Sequence, residues 1–207
     1  MLLMMLEKGE QIDDIVFFDW GMEFPQMYDH LEKLENYIGQ PITRLYPEKP
    51  FEYWIFDHIK TKGKQKDRAG YGWPSPKIRW CTRIKYDALR KHNKGAIDCI
   101  GYAYHERFRR PRYLLNQRYP LLEWGMTSEE ALKYCNSHGF DWAGLYKLFR
   151  RISCWCCPFA CDRECKALVE NFPHLFKRLQ EWNERCEFPL PSRYPWHKYL
   201  KRSEAER

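Results

Sequence analysis

Phe17-Phe18-Asp19-Trp20-Gly21-Met22-Glu23-Phe24-Pro25 is the stretch on which the reading of the fold turns. It closes a run from Ile12 to Asp19 with the composition of a strand, and Pro25 opens a segment in which Met27, Leu31, Leu34 and Ile38 recur at helical spacing up to Gly39. Proline in the first turn and glycine just past the end are the punctuation of a helix. Strand, tight turn and helix are therefore predicted. Upstream, Met1 to Leu6 reads as the tail of an apolar helix closed by Gly9.

Downstream, Ile42 to Tyr46 reads as a second strand and Phe51 to Ile59 as an aromatic helix turned toward the core. Lys60 to Pro76 has the Lys, Gly and Pro content of a mobile surface loop. A basic helix from Cys81 to His92, a strand from Ala96 to Tyr102, an Arg-rich loop from Glu106 to Arg118 and a strand from Pro120 to Trp124 come next. Thr127 and Glu130 make a capping-box pair for a helix that Gly139 ends, and Asp141 can cap a short successor. Helical stretches follow around Lys166 to Glu170 and from Pro173 to Cys186, and the Pro-punctuated residues 189–207 read as a loosely held tail. Strands alternating with helices imply an α/β domain over residues 1–188 with a mostly parallel sheet.

Composition narrows the setting. No run of eighteen apolar residues occurs in the 207, and nine cysteines without a secretory signal argue for reduced thiols, so the expectation is a soluble cytoplasmic protein with no membrane contact. Residues 58–118 carry seventeen Lys or Arg against Asp67, Asp87, Asp98 and Glu106, an excess of +13 in a chain whose formal charge is +7. Such a field attracts anionic partners, nucleotides or nucleic acid, and also suits a merely solvated face.

Ligands of open parallel sheets bind beyond the carboxyl ends of the strands. In the first such loop Gly21 lets a backbone approach a ligand, Asp19 could bond a ribose hydroxyl, and the amides of the following helix could hold an anion; the same residues also suit an ordinary turn in which Asp19 only caps. Five cysteines, Cys154, Cys156, Cys157, Cys161 and Cys165, fall within twelve residues in the Cys-rich segment 151–166. Cys154 and Cys157 have the Cys-x-x-Cys spacing that brings two thiolates to one metal, and distant Cys81 could complete the shell; Cys156, Cys161 and Cys165 are all near enough to be a fourth ligand. All-sulfur coordination suits an iron–sulfur cluster or zinc. The seven histidines are scattered, and neither a serine nucleophile elbow nor a Walker-type glycine loop occurs.

In order, these pieces resemble the phosphoadenosine-phosphosulfate reductase family of the adenine-nucleotide α-hydrolase-like superfamily, especially its phage and bacterial members, over about residues 1–180. Asp19-Trp20-Gly21 with Phe24-Pro25 looks like the family's Asp-Thr-Gly and aromatic-Pro pair, and Arg79-Trp80-Cys81-Thr82 with Lys85 is similar to its Arg-x-Cys motif. Ile100-Gly101 with Glu106-Arg107 resembles its strand, glycine and acidic-arginine loop. Pro120 to Trp124, Leu145-Tyr146 and Arg151 to Cys154 with Cys157 look like its closing run.

The resemblance implies a Rossmann-like three-layer sandwich holding an adenine nucleotide or sulfonucleotide at Asp19, Gly21, Glu23, Gly101 and Arg107. It implies a 4Fe-4S cluster on Cys81, Cys154 and Cys157, with Cys156 the further candidate and zinc the alternative metal. It also places the family's Ser-Gly-Gly-x-Asp-Ser phosphate loop and central strand ahead of Leu6, which makes this an N-terminally truncated domain of impaired activity. Trp20 stands where a small hydroxyl residue is usual, and the C-terminal Glu-Cys-Gly-x-His motif is absent, with Cys186 no substitute. The parent chemistry is then sulfonucleotide reduction or nucleotide-dependent sulfur transfer, with a true reductase not expected; catalytic residues and protein partner stay unassigned. The alternative is a non-catalytic, metal-stabilised module that binds nucleic acid through residues 58–118 and the interleaved rings of Tyr71, Trp73, Trp80 and Tyr86.

Overall fold

The computed structural model describes residues 1–109 and 116–205, the last five of them as backbone only. Arg110 and the rest of residues 110–115, in the Arg-rich loop, lie outside the described residues. The chain opens with α1 (Leu2–Glu7), β1 (Val16–Phe18), α2 (Pro25–Ile38) and β2 (Thr43–Leu45). Pro25 sits at the start of α2, and Gly39, in the left-handed region at φ 67°, ends it. A π-helical turn, Tyr53–Asp57, follows, and then α3 (Trp80–His92). Two short strands, β3 (Asp98–Cys99) and β4 (Gln117–Arg118), precede the remaining helices: α4 (Pro120–Glu123), α5 (Ser128–Ser137), α6 (Leu145–Leu148), α7 (Asp162–Asn171), α8 (Pro173–Arg185) and α9 (Trp196–Ala205).

The strands are parallel, as their alternation with helices requires, but they form two separate pairs. β1 lies beside β2 with Phe17 opposite Arg44, and β3 beside β4 with Asp98 opposite Gln117. The Asp19 N–H donates to the Leu45 carbonyl at 2.8 Å and the Thr43 N–H to the Ile15 carbonyl at 2.7 Å. That alternation turns the peptide groups of Val16 and Phe18 toward the opposite, open edge. On the second pair, Asp98 donates to Asn116 and Ile100 to Arg118, both at 2.9 Å, which leaves Cys99 facing the open edge of β3. Among the described residues the fold is thus mixed α/β with few short parallel strands.

Two expectations are corrected. Pro120 to Trp124 is the helix α4, not a strand: a four-residue apolar run has no period to tell the two apart, and a proline at the first helical position settles it here. The ladder lies just upstream, at Gln117–Arg118. Residues 189–200, the described side chains of the expected tail over 189–207, are not loose, because Leu190, Tyr194, Trp196, Tyr199 and Leu200 are buried. Their aromatic content outweighs the prolines that punctuate the segment. The Lys60 to Pro76 loop is also tied down, by Lys60 beneath the Phe188 ring and by Arg68 paired with Glu187.

The principal core lies off the strands. It gathers Met22 and Phe24 from the β1–α2 turn, Phe51 and Ile55, Trp80 at the head of α3, Trp155 with Cys156, and the inner faces of α7, α8 and α9. Trp196, 1% exposed, is the largest side chain in it that is essentially sealed from water, and its indole N–H donates to the Cys157 carbonyl at 2.9 Å. No helix among the described residues is long and apolar enough to cross a membrane. Trp196→Ala is expected to lower stability by about 3–5 kcal/mol, as for other buried large-to-small changes. Lys198→Ala, which removes an exposed pair with Asp162, is expected to lower it by less than about 1 kcal/mol. Urea unfolding midpoints of the two variants measure the difference.

Candidate functional site

The 19–25 turn, the head of α3 and the cysteine turn lie side by side. The turn after β1 is shaped by Asp19, whose Oδ1 accepts the Gly21 N–H at 2.6 Å and the Tyr28 hydroxyl at 3.0 Å. Gly21, at φ 71°, takes the left-handed conformation that lets the turn close on that carboxylate. Asp19, 7% exposed, is therefore committed to the turn and to the Tyr28 hydroxyl of α2, while the N-cap of α2 is Phe24. Beyond it the Met22 carbonyl accepts the Trp155 N–H at 3.0 Å, which seats the cysteine turn directly on the β1–α2 loop.

The cysteine turn is tight: the Cys157 N–H donates to the Cys154 carbonyl at 3.0 Å, so the two thiols leave the same side. A hydrogen bond to Cys156 holds the Cys154 thiol well above its usual pKa and burial adds to it, while Cys157 pulls the other way. Cys157 is raised by its bond to Cys154 and then by burial, with the Arg151 charge lowering it somewhat. Cys81, on the first turn of α3, is raised mainly by burial and further by the neighbouring Cys157. Cys81, Cys154 and Cys157 are thus neighbours, and Cys156, 0% exposed, bonds the Cys154 thiol from the core side.

Glu23 faces the same cluster. Burial pushes its carboxyl pKa up, Lys85 opposes that, and Asp19 adds to it. Cys154 in turn feels the Glu23 charge. A carboxyl and three thiols are thus biased toward their protonated forms, which makes a poor nucleophile at neutral pH and sets their protons in competition with any cation. The donor set suits a soft metal. Its spacing does not close a cage: among the described residues no group of three or more His, Cys, Asp or Glu side chains is disposed to hold a metal ion.

Gly101 and Arg107 stand elsewhere. Gly101 follows β3, near Met1 and Leu121, and the Arg107 guanidinium lies over the Tyr104 ring at 5.1 Å. Among the described residues no hydrogen bond or ring contact joins either to the 19–25 turn. Trp20, expected to crowd a nucleotide, packs edge-on against Phe18, Phe51 and Trp80 at 5.5–5.8 Å. Cys161 and Cys165 are set apart on α7, where Cys161 is the N-cap and Cys165 is buried.

One residue of the site escaped the sequence reading. Glu164, 6% exposed, accepts the Cys161 N–H at 2.9 Å through Oε2, while its buried Oε1 has no partner among the described residues. It lines a cavity of about 10 Å³, room for about one water, with Arg151, Ser153, Cys154 and Trp196. The visible signal was its place three residues after Cys161, a capping-box spacing with cysteine in the serine position.

Two proteins of Methanocaldococcus jannaschii, both described as uncharacterized, are similar to this chain. MJ0066 is 27% identical over 206 residues, which cover 89% of this chain and 39% of that protein. MJ0973 is 26% identical over 190 residues, covering 84% of this chain and 42% of that protein. The chain spans about two fifths of the length of these curated relatives. No protein-family profile matches it, and no solved structure does.

The raised pKa of Glu23 has a definite sign. The folded state holds the proton more tightly than the unfolded chain, so stability falls as pH rises from the ordinary value of 4.5 through the folded one. Glu23→Gln is therefore expected to be more stable than the parent at neutral pH and equal to it below pH 4.5, as read from urea midpoints across that range.

Proposed function

We propose that this chain is the nucleotide-binding part of a phosphoadenosine-phosphosulfate reductase-like protein, built on a Rossmann-like three-layer plan. Sulfonucleotide reduction or nucleotide-dependent sulfur transfer is its parent chemistry. The reading is carried by one observation: the Trp155 to Met22 bond seats the Cys154–Cys157 turn on the β1–α2 turn, far away in sequence, and Cys81 at the head of α3 lies close enough to Cys157 to feel its charge. The parallel sense of both strand pairs, β1 with β2 and β3 with β4, supports it.

In this reading the adenine nucleotide lies against Gly21 and Glu23, with Asp19 holding the turn in shape. Gly101 and Arg107 approach from the second strand pair, and Arg107 neutralises phosphate or sulfate charge. Cys81, Cys154 and Cys157 would hold an iron–sulfur cluster, or zinc, which would supply electron transfer or only a structural clamp. The protein's own contribution is to hold these thiols converged and shielded, with Glu23 and Lys85 setting the charge beside them. All nine cysteines are free, in keeping with a reducing, cytoplasmic setting.

Anaerobic purification followed by iron, zinc and acid-labile sulfide analysis tests this reading. Iron with sulfide in the parent chain, lost in Cys81→Ser and in Cys157→Ser but kept in Cys186→Ser, is the expected result. Zinc alone would replace the cluster by a structural metal, and no bound metal in freshly prepared protein would overturn the metal assignment.

A further inference from the structure

The basic segment 58–118 does not fold into one positive face. Lys60 is buried beneath Phe188, Arg68 is paired with Glu187, Arg109 with Glu106, and Arg118 with Glu10 and Glu123. Three of the four interleaved rings also turn inward: Trp73 and Trp80 are 6% and 5% exposed, and Tyr71 stacks on Trp54 and Trp80. Of the cations that remain exposed, Lys62, Lys64 and Lys66 stand on the preceding loop, and Arg79, Arg83, Lys85, Arg90 and Lys91 lie on or at the head of α3.

Arg79, Arg83, Tyr86 and Arg90 are spaced four, three and four residues apart, so at 100° per residue they form one stripe along the helix. All four are exposed. Tyr86 is 47% exposed, a large ring with no ring neighbour among the described residues. Arg83 meets only Asp87, the single acidic residue of α3, at 3.8 Å with side chains 85% and 63% exposed, a pair worth little against a competing phosphate. Arg79 lies over the Phe159 ring at 4.7 Å, which orients it without neutralising it. The opposite side of the helix carries Cys81 and Lys85, so the stripe and the cysteine site occupy different faces of one element.

We propose that this outer face of α3 binds single-stranded nucleic acid, with backbone phosphates on Arg79, Arg83 and Arg90 and a base stacked on Tyr86. The three guanidiniums span about 17 Å of helix, and the ring stands between them. Cations that track a backbone, with an aromatic platform among them, are the means by which proteins hold single strands without reading their sequence. A duplex offers its phosphates but no unstacked base, so it leaves Tyr86 unused. The proposal is independent of the nucleotide reading of the cysteine site.

Fluorescence anisotropy with a labelled oligo-deoxythymidylate and oligo-uridylate, titrated between about 50 and 200 mM salt, tests it. Three phosphate contacts predict a slope of log affinity against log salt of about −2, from about −0.7 per contact on single strands. The Arg83→Gln/Arg90→Gln double variant is expected to flatten the slope to about −0.7 and weaken binding at least tenfold at low salt. Tyr86→Ala is expected to weaken binding about fivefold or more with the slope unchanged, since stacking is not a charge effect. Lys177→Gln, an exposed cation on α8, is expected to bind as the parent does. Three results would overturn the proposal: no binding at low salt, equal losses in the Lys177 and Arg83/Arg90 variants, or tighter binding of a duplex with Tyr86→Ala unchanged.

Discussion

The hydrogen bond from the Trp155 amide to the Met22 carbonyl is the contact on which the rest of the arrangement depends. It fixes a cysteine-rich turn late in the chain onto the first strand–helix turn, across more than a hundred residues of sequence. Trp155 is buried beside Trp182, with the Arg178 guanidinium over both rings, so the bond sits in low-dielectric surroundings where breaking it without a replacement partner costs about 1–3 kcal/mol. Trp196 closes the same turn from the other side through the Cys157 carbonyl. The C-terminal helices thus form the floor of the site as well as the bulk of the core.

That placement sets the chemistry. Thiols in a turn that water barely reaches lose the solvation that would stabilise their thiolates, and their mutual hydrogen bonds resist ionisation further. Glu23 is subject to the same burial. The site therefore holds its protons more tightly than exposed thiols and an exposed carboxyl would. The cost of that arrangement is offset by the aromatic core around it, where Trp20, Phe51, Trp80 and Trp182 contact one another within 6.0 Å.

Much of this was legible in the sequence because the signals were local. Pro25 and Gly39 bound α2, Thr127 with Glu130 caps α5 through both reciprocal bonds, and Asp141 caps the short turn after it. The pairing of Cys154 with Cys157 and the approach of Cys81 followed from spacing and from the resemblance. What was not legible depended on tertiary context. Pro120 to Trp124 is too short to show a period, and residues 189–200 fold onto the protein because their aromatic rings find a hydrophobic floor that no local pattern reveals. The division of the strands into two pairs is likewise a property of the assembled chain. Cys156 illustrates the limit of spacing: it adjoins Cys157 and bonds the Cys154 thiol, yet it is itself sealed in the core.

The measurement that tests the central claim most directly is amide hydrogen exchange at Trp155, followed residue by residue in the native protein. If the cysteine turn is docked on the β1–α2 loop, the Trp155 amide exchanges only through large-scale unfolding, with protection close to that of the core helices α7 and α8. Exchange at the rate of an exposed loop amide such as Lys64 would contradict the account, because the turn would then be free of Met22 and the convergence of Cys81, Cys154 and Glu23 would have no anchor.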